Sequence, residues 1–315
     1  MARVIVLGAA GFLGSHLCDA LIGRGDDVVG VDDFSTGLSR NIEALSTSKR
    51  FKFIRADIAD DIPVEGPVDA VLNLASPASP PHYTKNQVHT LRSGSRGTEN
   101  ALRLAELNGA RFIMASTSEV YGDPTVHPQV ESYRGNVNPV GPRSCYDEAK
   151  RFAEALCMAY KRERDVNVGI VRIFNTYGPR LDKSDGRAVS NFVWQALNDL
   201  PITIYGDGSQ TRSFCYVDDE INGIIKMLDS EVVGPINMGN PNEFTMLDLA
   251  RMIIDLTGST SPLEFRALPE DDPIQRCPDI ALARAALGWE PVVDLREGLT
   301  RTIAWFTSEF NVNRR

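Results

Sequence analysis

No long basic run, no paired-cysteine spacing and no long apolar stretch occurs in the 315 residues of this chain. With 42 acidic against 33 basic side chains and a formal charge of −9, nucleic acid and an anionic membrane surface are not expected as partners. The five cysteines, Cys18, Cys145, Cys157, Cys215 and Cys277, are scattered and odd in number. They form neither a CxxC nor a metal-ligand pattern, which points to reduced thiols and no metal site. The apolar run at residues 4–7 is too short for a signal-peptide core and far too short to span a bilayer, so a cytoplasmic location is expected. What is present, 43% apolar and 24% charged residues, is ordinary for a globular chain of one large domain or two unequal lobes.

Short β-branched runs alternate with segments of helical period, the sequence form of a parallel sheet covered by helices on both faces. Strands are expected at 3–7, 27–31, 51–55, 70–74, 111–115 and 167–173, and helices at 11–24, near 88–108 and at 146–164, where Phe152, Leu156, Ala159 and Tyr160 recur at helical spacing. Beyond Ile173, Gly and Pro joints at 178–179, 206–208, 234–235 and 269–278 break up shorter elements. The expectation is an α/β fold: a doubly wound parallel (Rossmann) sheet over 1–174, with 216–240 returning to it, and a smaller α/β substrate-binding lobe from 175–215 and 241–315.

Gly8-Ala9-Ala10-Gly11-Phe12-Leu13-Gly14 follows the first strand and opens the first helix. Glycines there let the backbone approach a pyrophosphate, whose charge rests on the helix N-terminal amides. The second strand runs into Asp32, an acid placed to accept from an adenosine ribose and to repel a 2′-phosphate, which favours NAD over NADP. A structural turn followed by a surface acid is the bland alternative, and the order strand, turn, helix, acid argues against it. Tyr146 and Lys150 lie one helical turn apart and share a face. A neighbouring ammonium stabilises phenolate and is expected to bring the tyrosine from about 10 toward neutrality as a general base. Such a pair also arises by chance as a packed aromatic beside a solvated lysine. Upstream, the strand at 111–115 runs into Ser116, Thr117, Ser118 and Glu119 at its carboxyl end, where open α/β sheets place their ligands.

With these motifs in order, the sequence resembles the extended short-chain dehydrogenase/reductase family. Within it the chain is similar to the UDP-glucuronate decarboxylases at Leu74-Ala75-Ser76-Pro77-Ala78-Ser79-Pro80-Pro81, Ser116 to Pro124, Asn175-Thr176-Tyr177-Gly178-Pro179-Arg180 and Asp271-Asp272-Pro273. Sister 4,6-dehydratases carry Thr-Asp-Glu where this chain has Thr117-Ser118-Glu119, and 4-epimerases usually lack the glutamate. The resemblance implies UDP-glucuronate as substrate, a transient oxidation at C4, loss of carbon dioxide from a β-keto acid and regeneration of NAD. It implies a homodimer through the helices near 88–108 and 146–164, whose apolar faces could equally be buried against the sheet. It gives catalytic roles to Tyr146, Lys150, Thr117, Ser118, Glu119 and Arg276. It extends the cofactor site from Gly8, Gly11, Phe12, Leu13, Gly14 and Asp32 to Asp33, Phe34, Thr36, Gly37, Asp57, Ile58, Leu74, Ala75, Ser76, Ser93 and Arg187.

A substrate with a pyrophosphate and a carboxylate requires local cations, and arginine suits both groups. By resemblance Arg212 clamps the pyrophosphate with Asn175 and Tyr205 nearby. Two tasks are open to Arg276: holding phosphate, or acting near the carboxylate and C5. Arg180 is undecided. The chain departs from the family pattern at Asp33, where relatives have asparagine, and at Arg92, a substrate residue by resemblance that stands where lysine is usual. Another sugar-nucleotide enzyme, a 4-epimerase or 4,6-dehydratase, is the second reading, and a non-catalytic NAD-sensing regulator the third.

Overall fold

In the computed structural model, residues 1–268 and 275–312 are described. The segment Asp271-Asp272-Pro273 and part of the joint at 269–278 therefore lie outside the described residues.

The β-branched runs become strands that are buried along most of their length, as a parallel sheet covered by helices requires, except for the partly exposed edge strand Phe51–Arg55. β1 (Arg3–Leu7), β2 (Asp27–Asp32), β3 (Phe51–Arg55), β4 (Ala70–Asn73), β5 (Arg111–Thr117) and β6 (Val168–Ile173) stand at or within two residues of their expected places. Then follow β7 (Thr176–Tyr177), β8 (Ile202–Tyr205), β9 (Thr211–Ser213), β10 (Cys215–Tyr216), β11 (Ile236–Met238), β12 (Glu243–Thr245), β13 (Leu263–Arg266) and β14 (Gln275–Arg276). Seven of these strands form one parallel sheet in the order β11-β6-β5-β4-β1-β2-β3. Alternate residues of β1 feed different cores: Val4 and Val6 pack in one, Ile5 and Leu7 in the other.

The covering helices are α1 (Phe12–Arg24), α2 (Arg40–Glu43), α3 (Pro80–Lys85), α4 (Gln87–Arg92), α5 (Thr98–Asn108), α6 (Ser144–Arg164), α7 (Ala188–Leu197), α8 (Val217–Leu228), α9 (Met246–Thr257), α10 (Ala281–Leu287) and α11 (Leu295–Glu309). The single helix expected near 88–108 is in fact α4 and α5 joined by a π-helical turn, Ser93–Gly97. Gly94 in that turn faces α6, where a Cβ would meet that of Ala149 at 2.6 Å.

Strand order reverses between β1 and β4, which places a crevice at the carboxyl ends of the central strands. Small sheets, β12-β9-β14 and β13-β8, stand over the far side of that crevice. Their register brings Arg276 beside Arg212. No helix among the described residues is long and apolar enough to cross a membrane, and all five cysteines are unpaired and buried.

Candidate active site

A cleft of about 580 Å³ runs from the glycine turn to the small sheets. Gly8 adopts φ +80°, and a Cβ there would stand 2.9 Å from the backbone of Leu74 and Ala75; one on Gly14 would stand 2.0 Å from the Gly8 carbonyl oxygen. Only glycine keeps the first strand-to-helix turn this tight. Asp32 is buried at the tip of β2, accepting from the Ala10 amide at 3.0 Å and the Phe34 amide at 2.8 Å. Burial pushes its carboxyl up, and those two amides pull it back. A cradle that any side chain would fill, beside an anchored acid, fits the pyrophosphate and adenosine ribose of NAD.

The other residues expected around the cofactor divide. Gly8, Gly11, Phe12, Leu13, Gly14, Thr36, Leu74, Ser76 and Arg187 line the cleft. Gly37 packs against the Asp32 carboxylate, where a Cβ would meet Oδ1 at 2.7 Å. Phe34 takes φ +64° and packs against Phe53, the rings tilted by 40° with their centres 5.1 Å apart. Ala75 donates its amide to Asn73 at 3.3 Å. Ile58 is buried, and its carbonyl accepts from Asn100 at 2.8 Å. Asp33 and Asp57 flank His89 of α4 at 3.5 and 3.7 Å; these three are the one group among the described residues whose ligand-type atoms gather within 4.8 Å.

Asp32, Asp33, Phe34, Gly37, Asp57, Ile58 and Ala75 stand behind that lining, and Arg92 and Ser93 do not line the cleft either. The guanidinium of Arg92 pairs with Asp60 at 2.6 Å, so the structure does not bring it to a substrate there. Ser93 is buried inside the π turn.

At the catalytic end, the three hydroxyls after β5 go three ways. Ser116 donates to Glu154 at 2.6 Å. Thr117 accepts from the Glu119 amide at 3.2 Å and hydrogen-bonds the Tyr146 phenol. Ser118 accepts from Arg276 at 3.1 Å. Lys150 is buried below, its Nζ donating to the Ala115 carbonyl at 2.8 Å and standing 5.8 Å from the Tyr146 ring centre.

The expected effect of Lys150 on Tyr146 is corrected here. Burial pushes the phenol up to about 12, while the Thr117 hydrogen bond and the Arg187 charge pull it down. Burial likewise lowers Lys150 to about 8. Desolvation is the largest influence on the phenol, and the Lys150 ammonium donates to the Ala115 carbonyl.

Glu119 is the electrostatic centre. Burial alone would raise its carboxyl, but Arg276 and Arg143 overcome that and hold it at about 2. Arg143 Nη2 lies 2.6 Å from one carboxylate oxygen, and Arg276 Nη1 3.2 Å from the other. Arg276 is 1% exposed and also donates to the Gly122 carbonyl at 3.0 Å. Its guanidinium thus stands between Glu119, Ser118 and the Gly122 carbonyl.

Asn175, Tyr205 and Arg212 line the opposite wall; the Asn175 amide donates to the Ser213 carbonyl at 3.3 Å, and Arg212 donates to the Thr211 carbonyl at 2.9 Å. Arg187 is bound to Asp185 at 2.5 Å and Arg180 to Asp19 at 2.5 Å.

Sequence reading missed Arg143, Tyr83 and Asp147. The Tyr83 ring stacks on Tyr146 at 5.1 Å and 3°, with the Arg143 guanidinium 6.0 Å from its centre. Asp147, buried, is pushed up to about 7, first by burial and then by the charge of Glu119. Arg143 had one signal, its place three residues before Tyr146 at the start of α6; Tyr83, 63 residues before Tyr146, had none.

The family model described as the NAD dependent epimerase/dehydratase family matches residues 4–239. UDP-glucuronic acid decarboxylase 1 of Arabidopsis thaliana is 52% identical over 304 residues, covering 96% of this chain and 69% of that protein. UDP-glucuronic acid decarboxylase 1 of Danio rerio is 50% identical over 307 residues, covering 98% and 73%. The solved UDP-glucuronic acid 4-epimerase from Bacillus cereus, in complex with UDP-glucuronic acid and NAD, is 31% identical with a TM-score of 0.86, over 98% of this chain and 99% of that one.

Proposed function

The chain belongs to the NAD dependent epimerase/dehydratase family, and from that premise we propose that it converts UDP-glucuronate to UDP-xylose and carbon dioxide, with NAD regenerated in each turnover. The observation that carries the reading is Glu119, kept ionised between Arg143 and Arg276 within the cleft that holds Tyr146. Curated relatives of about half identity are decarboxylases.

Each residue then has a task. Tyr146, positioned by Thr117, takes the proton of the sugar 4-hydroxyl. When bound, NAD would supply a cationic nicotinamide able to take a hydride from C4 and return it, and its charge would favour the phenolate. The oxidised sugar is a β-keto acid, and Thr117 and Tyr146 polarise its ketone so that the electrons of the breaking carbon–carbon bond spread as an enolate while carbon dioxide leaves; a proton from solvent water then enters at C5 and restores the 4-ketone. Ser118 and Arg276 fix Glu119 so that its carboxylate orients the ring during that step. Lys150 holds the nicotinamide ribose. Arg212, Asn175 and Tyr205 bind the UDP, residues 1–174 with 216–240 carry the cofactor, and 175–215 with 241–315 form the sugar-nucleotide lobe.

The protein is proposed to work as a homodimer through α4 and α6, whose Val88, Leu91 and Phe152 are 73%, 43% and 49% exposed. The unpaired thiols suit the cytoplasm. Incubation with UDP-glucuronate and NAD, followed by mass spectrometry, tests the activity. Appearance of UDP-xylose with carbon dioxide is expected. UDP-galacturonate without carbon dioxide would make the protein an epimerase instead.

A further inference from the structure

Recognition of a uronate poses a charge problem: one more carboxylate must enter a cleft that already contains the half-buried carboxylate of Glu119. Two guanidiniums share that carboxylate, so the trio Arg143, Glu119 and Arg276 has a net charge of +1. Asp147 offsets only part of this near neutral pH, because its carboxyl is pushed up to about 7 by burial and by Glu119. Arg212 adds its charge to the same field. The pocket is therefore set for one further anion.

Three other arginines of the cleft, Arg276, Arg187 and Arg180, are held by acidic side chains, as Arg143 is by Glu119. Arg276 is 1% exposed and spends its two Nη groups on Ser118, Glu119 and the Gly122 carbonyl. Arg187 forms a two-point pair with Asp185 at 2.5 and 2.8 Å. Arg180 is tied to Asp19. Arg143 lines the cleft with its side chain 16% exposed, on the turn that leads into Tyr146.

A second observation points to the same place. Tyr83 is 1% exposed and lines the cleft, and its phenol oxygen is buried without a hydrogen-bond partner among the described residues. A buried hydroxyl without a partner costs about 1–3 kcal/mol, and a ligand oxygen would remove that cost. Its ring lies parallel to that of Tyr146 and carries the Arg143 guanidinium beside it.

We propose that Arg143 and Tyr83 together read the carboxylate of the sugar nucleotide, the guanidinium supplying charge and the phenol a hydrogen bond, so that they distinguish a UDP-uronate from a neutral UDP-hexose. Glu119 keeps Arg143 aimed at the cleft between turnovers. The inference rests on the decarboxylase reading, because only a substrate with a carboxylate at C6 needs such a pair.

The test separates the half-reactions. UDP-glucuronate carries the carboxylate, while UDP-4-keto-pentose, the decarboxylated intermediate, does not. Arg143→Met should lower kcat/KM for UDP-glucuronate about 30-fold or more, and lower reduction of UDP-4-keto-pentose by the NADH-loaded enzyme by a clearly smaller factor, the loss there coming only from a loosened Glu119. Tyr83→Phe should lower the first about 10-fold and spare the second; Arg143→Lys should recover part of the loss. Equal losses in both half-reactions, or none in either, would overturn the proposal. Binding measured by calorimetry against the NAD-loaded enzyme gives an independent readout: wild type should prefer UDP-glucuronate to UDP-glucose, and Arg143→Met should lose most of that preference. This ratio remains decisive for the carboxylate site even if wild type releases no carbon dioxide, an outcome that would refute the decarboxylase reading alone.

Discussion

Replacing Glu119 by glutamine keeps its size and its capacity to accept hydrogen bonds but removes the charge that two arginines share. A carboxyl with an ordinary value of 4.5 held at about 2 contributes about 3 kcal/mol of stability at neutral pH, one pKa unit being worth about 1.4 kcal/mol. Removal of one partner from a buried ion pair costs about 3–5 kcal/mol by an independent route. At roughly 2–4 °C per kcal/mol for a domain of this order, Glu119→Gln should melt about 6 °C or more below wild type in differential scanning fluorimetry at pH 7 with saturating NAD. The pH dependence has a definite sign. Because the folded value lies below the unfolded one, the contribution of Glu119 is fully present above about 4.5 and is lost as pH falls toward 2. The gap between wild type and variant should therefore be constant from pH 5.5 to 7 and shrink near pH 3.5. A variant melting within 1 °C of wild type at pH 7, or a gap that widens in acid, would refute the shared-anion account.

Three further outcomes are expected. Tyr146→Phe should fold and retain NAD, measured by release of nucleotide on denaturation, while turnover falls about 100-fold to 10000-fold; near-normal turnover would remove Tyr146 from the chemistry. Gly8→Ala places a Cβ 2.9 Å from the Leu74 and Ala75 backbone at φ +80°, so it should purify without bound NAD, and a full complement of NAD would contradict the cradle. Burial puts the Lys150 ammonium at about 8, so its charge is present below that pH and lost above it. kcat/KM should decline above about pH 8, and in Lys150→Arg the residual activity should show no such decline; identical profiles would sever the limb from Lys150.

How much of this was legible in sequence depended on whether a feature was local. β1, β2, β4, β5 and β6 were, because short apolar and β-branched runs bounded by turn signals mark a buried strand, and β3 was through Phe51, Phe53 and Ile54 in a short run of its own. β11 has three residues and β14 two, below the length at which periodicity carries information. The glycine turn and Asp32 were legible because their geometry is made within one strand-turn-helix unit. Arg143 and Tyr83 were not, since stacking of Tyr83 on Tyr146 depends on how α3 settles against α6. Arg92 shows the converse: a charge at an expected position whose partner, Asp60, lies 32 residues earlier. The Tyr146 pKa was misjudged because spacing places the ammonium nearby but says nothing of desolvation, which the fold supplies by sealing both groups under β5.

The π turn between α4 and α5 acts as a phase shifter. Residues 87–108 form one continuous rod, and two of its contacts bear on the cleft: His89 and Arg92 at one end reach Asp33, Asp57 and Asp60 beside the proposed adenosine site, and at the turn Gly94 rests on Ala149, the neighbour of Lys150. A regular helix through the same residues would be out of step by one residue, and each residue turns a helix by about 100°. It could satisfy the adenosine end or the α6 contact, but not both. Deleting one residue from the turn would thus uncouple the two ends of the cofactor groove while leaving every side chain that touches the reacting sugar in place.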